Sequence, residues 1–237
     1  MKKLLKAILG DIKLGKLDYF RFPERAQTWG GPFNGQEARK EIFLNIVSIT
    51  GTKAIVETGT YLGTTTEFFA GTGLPVFSVE SAPRNYGYAK VRLRKHRNVS
   101  LQLGDSRKVL SSLFESELAN KQYDRLFFYL DAHWGEDIPL IGEIEIIYKN
   151  CDSAIIMIDD FQVPDDSGYF YDNYGDSKVF NLSYLSKPIE QFNLAAYFPK
   201  KPSQQETGMK RGSVVLCKPT KVPLLNKVKL LRRYHPK

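Results

Sequence analysis

Five short apolar runs recur along the middle of the chain, each closed by a polar or glycine-bearing turn: AIVET (54–58), PVFSVE (75–80), VSLQLGD (99–105), RLFFYLDAH (125–133) and AIIMIDDF (154–161). Most are nearly continuous in Val, Ile, Leu and Phe, the signature of strands covered on both faces. Helical stretches fill the gaps at 64–71, 83–96, 106–120 and 138–149. Ahead of them Gly35–Ile49 places Ile42, Phe43, Ile46 and Val47 on one side of a further helix. Strands alternating with helices predict a parallel sheet built from right-handed crossovers. Two last runs, NLAAYFPK (193–200) and GSVVLCK (212–218), have no helix between them and predict a closing antiparallel hairpin. The expectation is a doubly wound α/β domain over 35–220, preceded by a basic extension and lid (1–34) and followed by a basic tail (221–237).

In such sheets ligands bind beyond the carboxyl ends of the strands, near the point where strand order reverses. The residues that end each run therefore become candidates. The first run passes into Glu57-x-Gly59-x-x-x-Gly63, with Thr60 and Tyr61 inside the turn. Glycines there let backbone N–H groups and a helix N-terminus approach a ligand closely. The spacing is not the G-x-G-x-x-G of dinucleotide sites, which counts against NAD. The second run ends at Glu80, where a carboxylate can accept hydrogen bonds from both ribose hydroxyls of a nucleoside. An ordinary strand-end acid is the plainer reading of Glu80 alone. At the third, Asp105 and Ser106 suit a polar contact to an adenine, although Asp-Ser is equally a helix N-cap.

Taken together, the E-x-G-x-x-x-G turn, the acid ending the second run, the GDS and the closing hairpin resemble class I S-adenosylmethionine-dependent methyltransferases, over 35–220. That resemblance implies a Rossmann-like, mostly parallel, seven-stranded sheet with helices on both faces and a C-terminal antiparallel hairpin. It also implies S-adenosylmethionine as cofactor, with Glu57 and the turn of Gly59, Thr60, Tyr61 and Gly63 toward the methionine moiety and Glu80 on the ribose.

The fourth and fifth runs add acids. LDAHW (130–134) and IDDF (158–161) put Asp131, Asp159 and Asp160 at neighbouring strand ends. Like charges so close repel unless a cation or a proton intervenes. Three carboxylates without cysteine form the hard oxygen set that Mg²⁺ takes; acids that merely cap loops are the plain alternative. A similar arrangement occurs in metal-dependent sugar O-methyltransferases of the macrocin O-methyltransferase type and in the cephalosporin-hydroxylase-like group. This chain departs from their D-G-D pattern with D-A-H. The resemblance implies Mg²⁺-assisted O-methylation of a sugar or glycan-like acceptor, as in polysaccharide biosynthesis; Asp131, Asp159 and Asp160 are expected to hold the ion, and His133, or one of those acids such as Asp131, to take the proton from the reacting hydroxyl. An imidazole pKa of about 6.5 suits that proton transfer, and a structural histidine is the alternative. After the fifth run, 162–185 is rich in Tyr, Asp and Gly; Tyr169, Tyr171 and Tyr174 offer faces for a saccharide or could pack a rigid loop. WGGPFNGQ (29–36) reads as a second lid.

Composition, 42% hydrophobic and 25% charged, is that of an ordinary globular chain. No run approaches the roughly 20 apolar residues that cross a bilayer. The start, MKKLLKAILGDIKLGK, is interrupted by Lys6 and Asp11 and lacks a small-residue cleavage site, so it does not read as a signal peptide, and a cytoplasmic location is expected. The net charge of +8 gathers at the two ends. Leu4, Leu5, Ile8, Leu9 and Ile12 share one helical face opposite Lys2, Lys3, Lys6 and Lys13. That is a solvated helix, or a weak peripheral contact with an anionic membrane surface. Basic residues are not interleaved with aromatics in a nucleic-acid-binding module, so no specific nucleic-acid partner is expected. Cys151 and Cys217 have no metal or redox spacing and are expected as buried free thiols. An oligomer is compatible with all of this. Rival readings are a hydroxylase-like or nucleotide-dependent enzyme on the same scaffold, which lacks a flavin or NAD fingerprint, and a non-catalytic module for glycan assembly.

Overall fold

The computed structural model describes residues 2–119, 123–132, 137–175 and 178–235, with side chains of the first helix from Gly10 onward. The apolar runs become strands β1 (Ala54–Thr58), β2 (Val76–Glu80), β3 (Val99–Leu103), β4 (Leu126–Leu130) and β5 (Ile155–Asp159). The hairpin supplies β6 (Ala195–Pro199) and β7 (Ser213–Cys217). β1, β2, β4 and β5 are buried along their whole length, which is why their sequences do not alternate. β3 lies at the sheet edge and is only half-covered.

With a further strand, β8 (Leu231–Arg233), the sheet order is β3-β2-β1-β4-β5-β7-β6-β8, parallel from β3 to β5 and antiparallel from β7 onward. The expected seven strands become eight. The addition, β8, pairs with β6 from within the stretch expected as a basic tail. Its sequence, LRR, carries no strand pattern: on this edge Leu231 is buried, Arg232 is half-buried with its guanidinium on the Pro164 carbonyl, and Arg233 is exposed. Just before it, Leu225 in the short helix Val222–Leu225 and Val228 insert into the core.

Each sheet face has its own apolar layer. Helices Ser106–Glu115 (α5), Leu140–Asn150 (α6) and Ser186–Phe192 (α7) cover the face of Val56, Phe128 and Ile156. On the other, helix Glu37–Thr50 (α2) packs Ile42, Phe43 and Ile46, and helix Thr64–Ala70 (α3) packs Phe69, against Ile55, Phe127 and Met157. Phe33 plugs the top of this second layer, its ring 5.6 Å from Phe43, 5.4 Å from Phe69 and 5.1 Å from Tyr129. That plug anchors a coiled segment in which Trp29, Phe33 and Asn34 adopt left-handed backbone (φ 62, 52 and 58°), a conformation that surrounding contacts must enforce in non-glycine residues.

The first helix (α1, Lys2–Arg21) is kinked at Gly10 (φ 69°) and lies across helix Pro83–Arg92 (α4). Gly15 and Gly87 let the two backbones meet: a Cβ on Gly15 would sit 1.9 Å from the Arg84 carbonyl oxygen, and one on Gly87 2.1 Å from that of Ile12. Both cysteines are free thiols, Cys217 buried and Cys151 half-buried. Among the described residues no helix is long and apolar enough to cross a membrane.

The crossing makes a prediction. Gly87→Ala forces the helices apart and should cost about 1–3 kcal/mol, the usual range for an overpacked contact. Trypsin should then release the lysine-rich first 21 residues faster than from the wild type, with urea unfolding giving the energy. Unchanged cleavage and stability would refute the tight crossing.

Candidate active site

Strand order reverses between β1 and β4, which are adjacent although β2 and β3 intervene in the chain. The two strand ends nearly touch there: Asp131 N–H donates to the Thr58 carbonyl at 2.9 Å, and a Cβ on Gly59 (φ 90°) would lie 2.3 Å from the Asp131 carbonyl oxygen. Only glycine allows this approach. Beside it opens a cavity of about 730 Å³, lined among others by Gly59, Tyr61, Glu80, Asp105, Ser106 and Asp131. That volume lies in the range of small-molecule and cofactor sites.

Glu80 closes one wall. Its two oxygens accept from the backbone N–H groups of Tyr61 (2.6 Å) and Ala82 (2.7 Å), which fix the carboxylate, with Asn85 and the Ser81 N–H as further donors. Burial pushes its pKa up, against the pull of those N–H groups. The Tyr61 bond also holds that residue in its left-handed conformation (φ 50°). Asp105 caps α5, accepting from the N–H of Arg107 (2.9 Å), and its other oxygen takes the Arg107 guanidinium at 2.6 Å. These bonds hold its pKa down at about 2. Arg107 reaches on to Asp137 at 2.6 Å. Ser106 lines the cavity beside them.

Glu57 lies beneath the turn rather than in the cavity wall. It is buried, and one carboxylate oxygen accepts from the hydroxyls of Thr66 and Ser78; Ser78 in turn shares a 2.6 Å bond with the Thr60 hydroxyl. Its other oxygen has no hydrogen-bond partner among the described residues. Burial raises its pKa to about 7. Gly63 (φ 78°) precedes the first turn of α3 and faces Leu93 and Ala89.

The acids at the ends of β4 and β5 are gathered around guanidinium groups. Arg39, buried on α2, donates to Asp159 Oδ1 and to the Arg211 carbonyl. Asp159 Oδ2 accepts from Tyr129 and from the Asn34 amide at 3.0 Å, and Oδ1 also takes the Asp160 N–H at 2.7 Å. Arg211 bridges Asp160 and Asp172. Burial and the neighbouring carboxylate of Asp159 lift Asp160 to about 7 despite Arg211. Asp131 is half-buried in the cavity wall; burial, then Asp159 and Asp160, push its pKa well above the ordinary carboxylate value.

This arrangement does not fit the expected Mg²⁺ site. A dication needs several carboxylate oxygens turned to one point, whereas those of Asp159 are engaged by Arg39, Asn34, Tyr129 and a backbone N–H. Among the described residues no three His, Cys, Asp or Glu side chains converge as a metal site. His133 lies outside the described residues.

None of the three tyrosines expected at the acceptor lines the cavity. Tyr169 is buried with its hydroxyl on the Lys201 carbonyl (2.9 Å), Tyr174 donates to Asp172 (2.7 Å), and Tyr171 is half-buried elsewhere. Phe170 between them is the residue that reaches the mouth. Sequence reasoning also passed over Asn34, Arg39, Asp172 and Arg211. For Arg39 a signal existed: it falls on the apolar face of α2 with Ile42, Phe43 and Ile46, where a charge needs a buried partner.

No family model matches the chain, and no curated protein matches it. Solved structures do. A putative O-methyltransferase from Klebsiella pneumoniae superposes with a TM-score of 0.54 at 19% identity, covering 92% of this chain and 94% of that one. An O-methyltransferase from Bacillus cereus, solved in complex with SAH, gives 0.50 at 17% identity over 91% and 96%. TomG from Streptomyces achromogenes, an O-methyltransferase of tomaymycin synthesis solved with SAM, gives 0.51 at 14% identity over 91% and 94%. At these identities the likeness is one of fold: this chain has the Rossmann-like α/β fold of those methyltransferases.

Two buried carboxyls generate a pH prediction. Glu57 and Glu143, the latter on α6, are each raised from 4.5 to about 7 by burial. Their folded pKa exceeds the unfolded one, so the stability they contribute is complete below pH 4.5 and lost as pH climbs through 7. The loss is on the order of 3 kcal/mol per group. Urea midpoints of the wild type should fall over that interval, and Glu57→Gln should flatten the fall. An identical fall in the variant would contradict the assignment.

Proposed function

We propose that the chain is an S-adenosylmethionine-dependent methyltransferase acting on a hydroxyl of a sugar or glycan-like acceptor. The observation that carries this reading is Glu80, a carboxylate fixed by two backbone N–H groups at the end of β2 in the wall of the switch-point cavity. A nucleoside's ribose diol offers two donors to such a pair of oxygens. The shared fold with O-methyltransferases supports the same chemistry.

When bound, the cofactor supplies a methyl group on a sulfonium, an electrophile that must be approached in line by the acceptor oxygen. The chain's part is alignment and proton transfer. The Gly59 turn would bring backbone against the methionine portion, and the first turn of α5 would border the base. Asp131, whose carboxyl is raised in pKa by burial and by Asp159 and Asp160, is the more basic carboxylate for it and suits the role of proton acceptor from the acceptor hydroxyl. It acts as a base only when ionised, so the rate should rise with pH through that raised pKa. The charge balance that Mg²⁺ would otherwise provide is supplied at the acid cluster by Arg39 and Arg211.

Isothermal titration with S-adenosylhomocysteine provides the test. The wild type should bind it, Glu80→Ala should weaken binding at least about tenfold, equivalent to ~1.4 kcal/mol, and neither Mg²⁺ nor EDTA should change the constant. A wild type that ignores the ligand at millimolar concentration refutes the reading; dependence on Mg²⁺ refutes its metal-free form.

A further inference from the structure

We propose that the acceptor is an amino sugar, its ring against an aromatic rim at the cavity mouth and its ammonium group at the Asp160–Arg211–Asp172 end; this rests on the methyl-transfer reading of the same cavity. Two independent features lead there.

The first is the rim. Trp29, Tyr61, Phe170 and Met209 are 48, 43, 60 and 45% exposed, and all four line the cavity. Large apolar side chains left in water around one opening mark a ligand-binding edge rather than scattered surface residues. Three of them are aromatic, with broad faces suited to the apolar side of a pyranose, and aromatic faces also attract a cation. Two are held in place by the backbone: Trp29 and Tyr61 stand on left-handed residues.

The second is the sign of the charge. Among the described residues the cavity is lined by Glu80, Asp105, Asp131, Asp137, Asp160 and Asp172, against only Arg107 and Arg211. Each arginine is itself bridged by two of these acids, Arg107 by Asp105 and Asp137, Arg211 by Asp160 and Asp172. Even with Asp131 and Asp160 set aside, because their raised pKa values leave them less charged, Glu80, Asp105, Asp137 and Asp172 outnumber the two guanidiniums, inside a chain whose net charge is +8. A sulfonium cofactor, with its amino and carboxylate groups cancelling, offsets only one charge. An acceptor bearing phosphate or carboxylate would enter a negative recess whose guanidiniums are already bridged. An ammonium would meet a field of the opposite sign, strengthened by partial exclusion of water.

The test uses three methyl glycosides of one ring shape: methyl glucosaminide, methyl glucoside and methyl glucuronide, cationic, neutral and anionic. Saturation-transfer NMR in the presence of a chelator, with and without S-adenosylhomocysteine, measures their affinities. The glucosaminide should bind about tenfold more tightly than the glucoside, a ~1.4 kcal/mol preference, and the glucuronide more weakly than both. Phe170→Ala should weaken the glucosaminide and the glucoside alike, whereas Asp172→Asn should narrow the gap between them. Equal affinities, a preference for the glucuronide, or no binding by any of the three overturns the proposal. Should S-adenosylhomocysteine fail to bind while the preference for the amine persists, the methyl-transfer reading falls and the charge selection stands. Should it bind without any preference, the reverse holds.

Discussion

The structure around the cavity depends on one buried ion pair, Arg39 with Asp159. Both are almost wholly inaccessible, and each would be costly to bury alone. Removing either partner of such a pair typically costs about 3–5 kcal/mol, because a charge is left without compensation. Arg39 comes from α2, before the first strand; Asp159 ends the fifth. The pair therefore ties the beginning of the domain to the far side of the switch point. Through its second bond, to the Arg211 carbonyl, the same guanidinium draws in the stretch leading to β7. Asn34, donating to Asp159, adds the coiled segment before α2.

This pair also decides the chemistry of the acids. Once Asp159 is committed to a guanidinium, an amide and a phenol, it is no longer a candidate metal ligand. Asp159 still acts on Asp131 and Asp160, whose pKa values rise in consequence of burial and that neighbour. A strand-end carboxyl with a raised pKa is more basic than an ordinary carboxylate and is suited to receive a proton. Arg211 meanwhile orders the loop after β5 by clasping Asp160 and Asp172, which leaves Phe170 at the rim. Structural support and candidate reactivity thus arise from a single electrostatic arrangement.

The strands and the strand-end residues were legible because buried parallel strands write themselves as continuous apolar runs. Each of the first five strands falls within its expected run, and Glu80, Gly59 and Asp131 meet at one opening. The misses have local causes. Arginine pairing depends on residues 120 positions apart, as in Arg39 with Asp159, and no periodicity reveals it. In the 169–174 stretch the tyrosines are the expected acceptor residues, yet Phe170 is the one that lines the cavity, its backbone bridged to Lys210 and Gly212. Glu57 sits in a strand interior, where its side chain points to a buried hydroxyl pair rather than to the rim. β8 is too short and too basic to register as a strand.

The central claim is that the cavity at the β1–β4 reversal holds a nucleoside on Glu80. A crystal structure of the chain with S-adenosylhomocysteine tests it most directly. The account predicts ribose hydroxyls within hydrogen-bond distance of the Glu80 carboxylate and the thioether beside the Gly59 turn, with the Arg39–Asp159 pair intact. Density for the ligand on any other face, or a ribose turned away from Glu80, would contradict it.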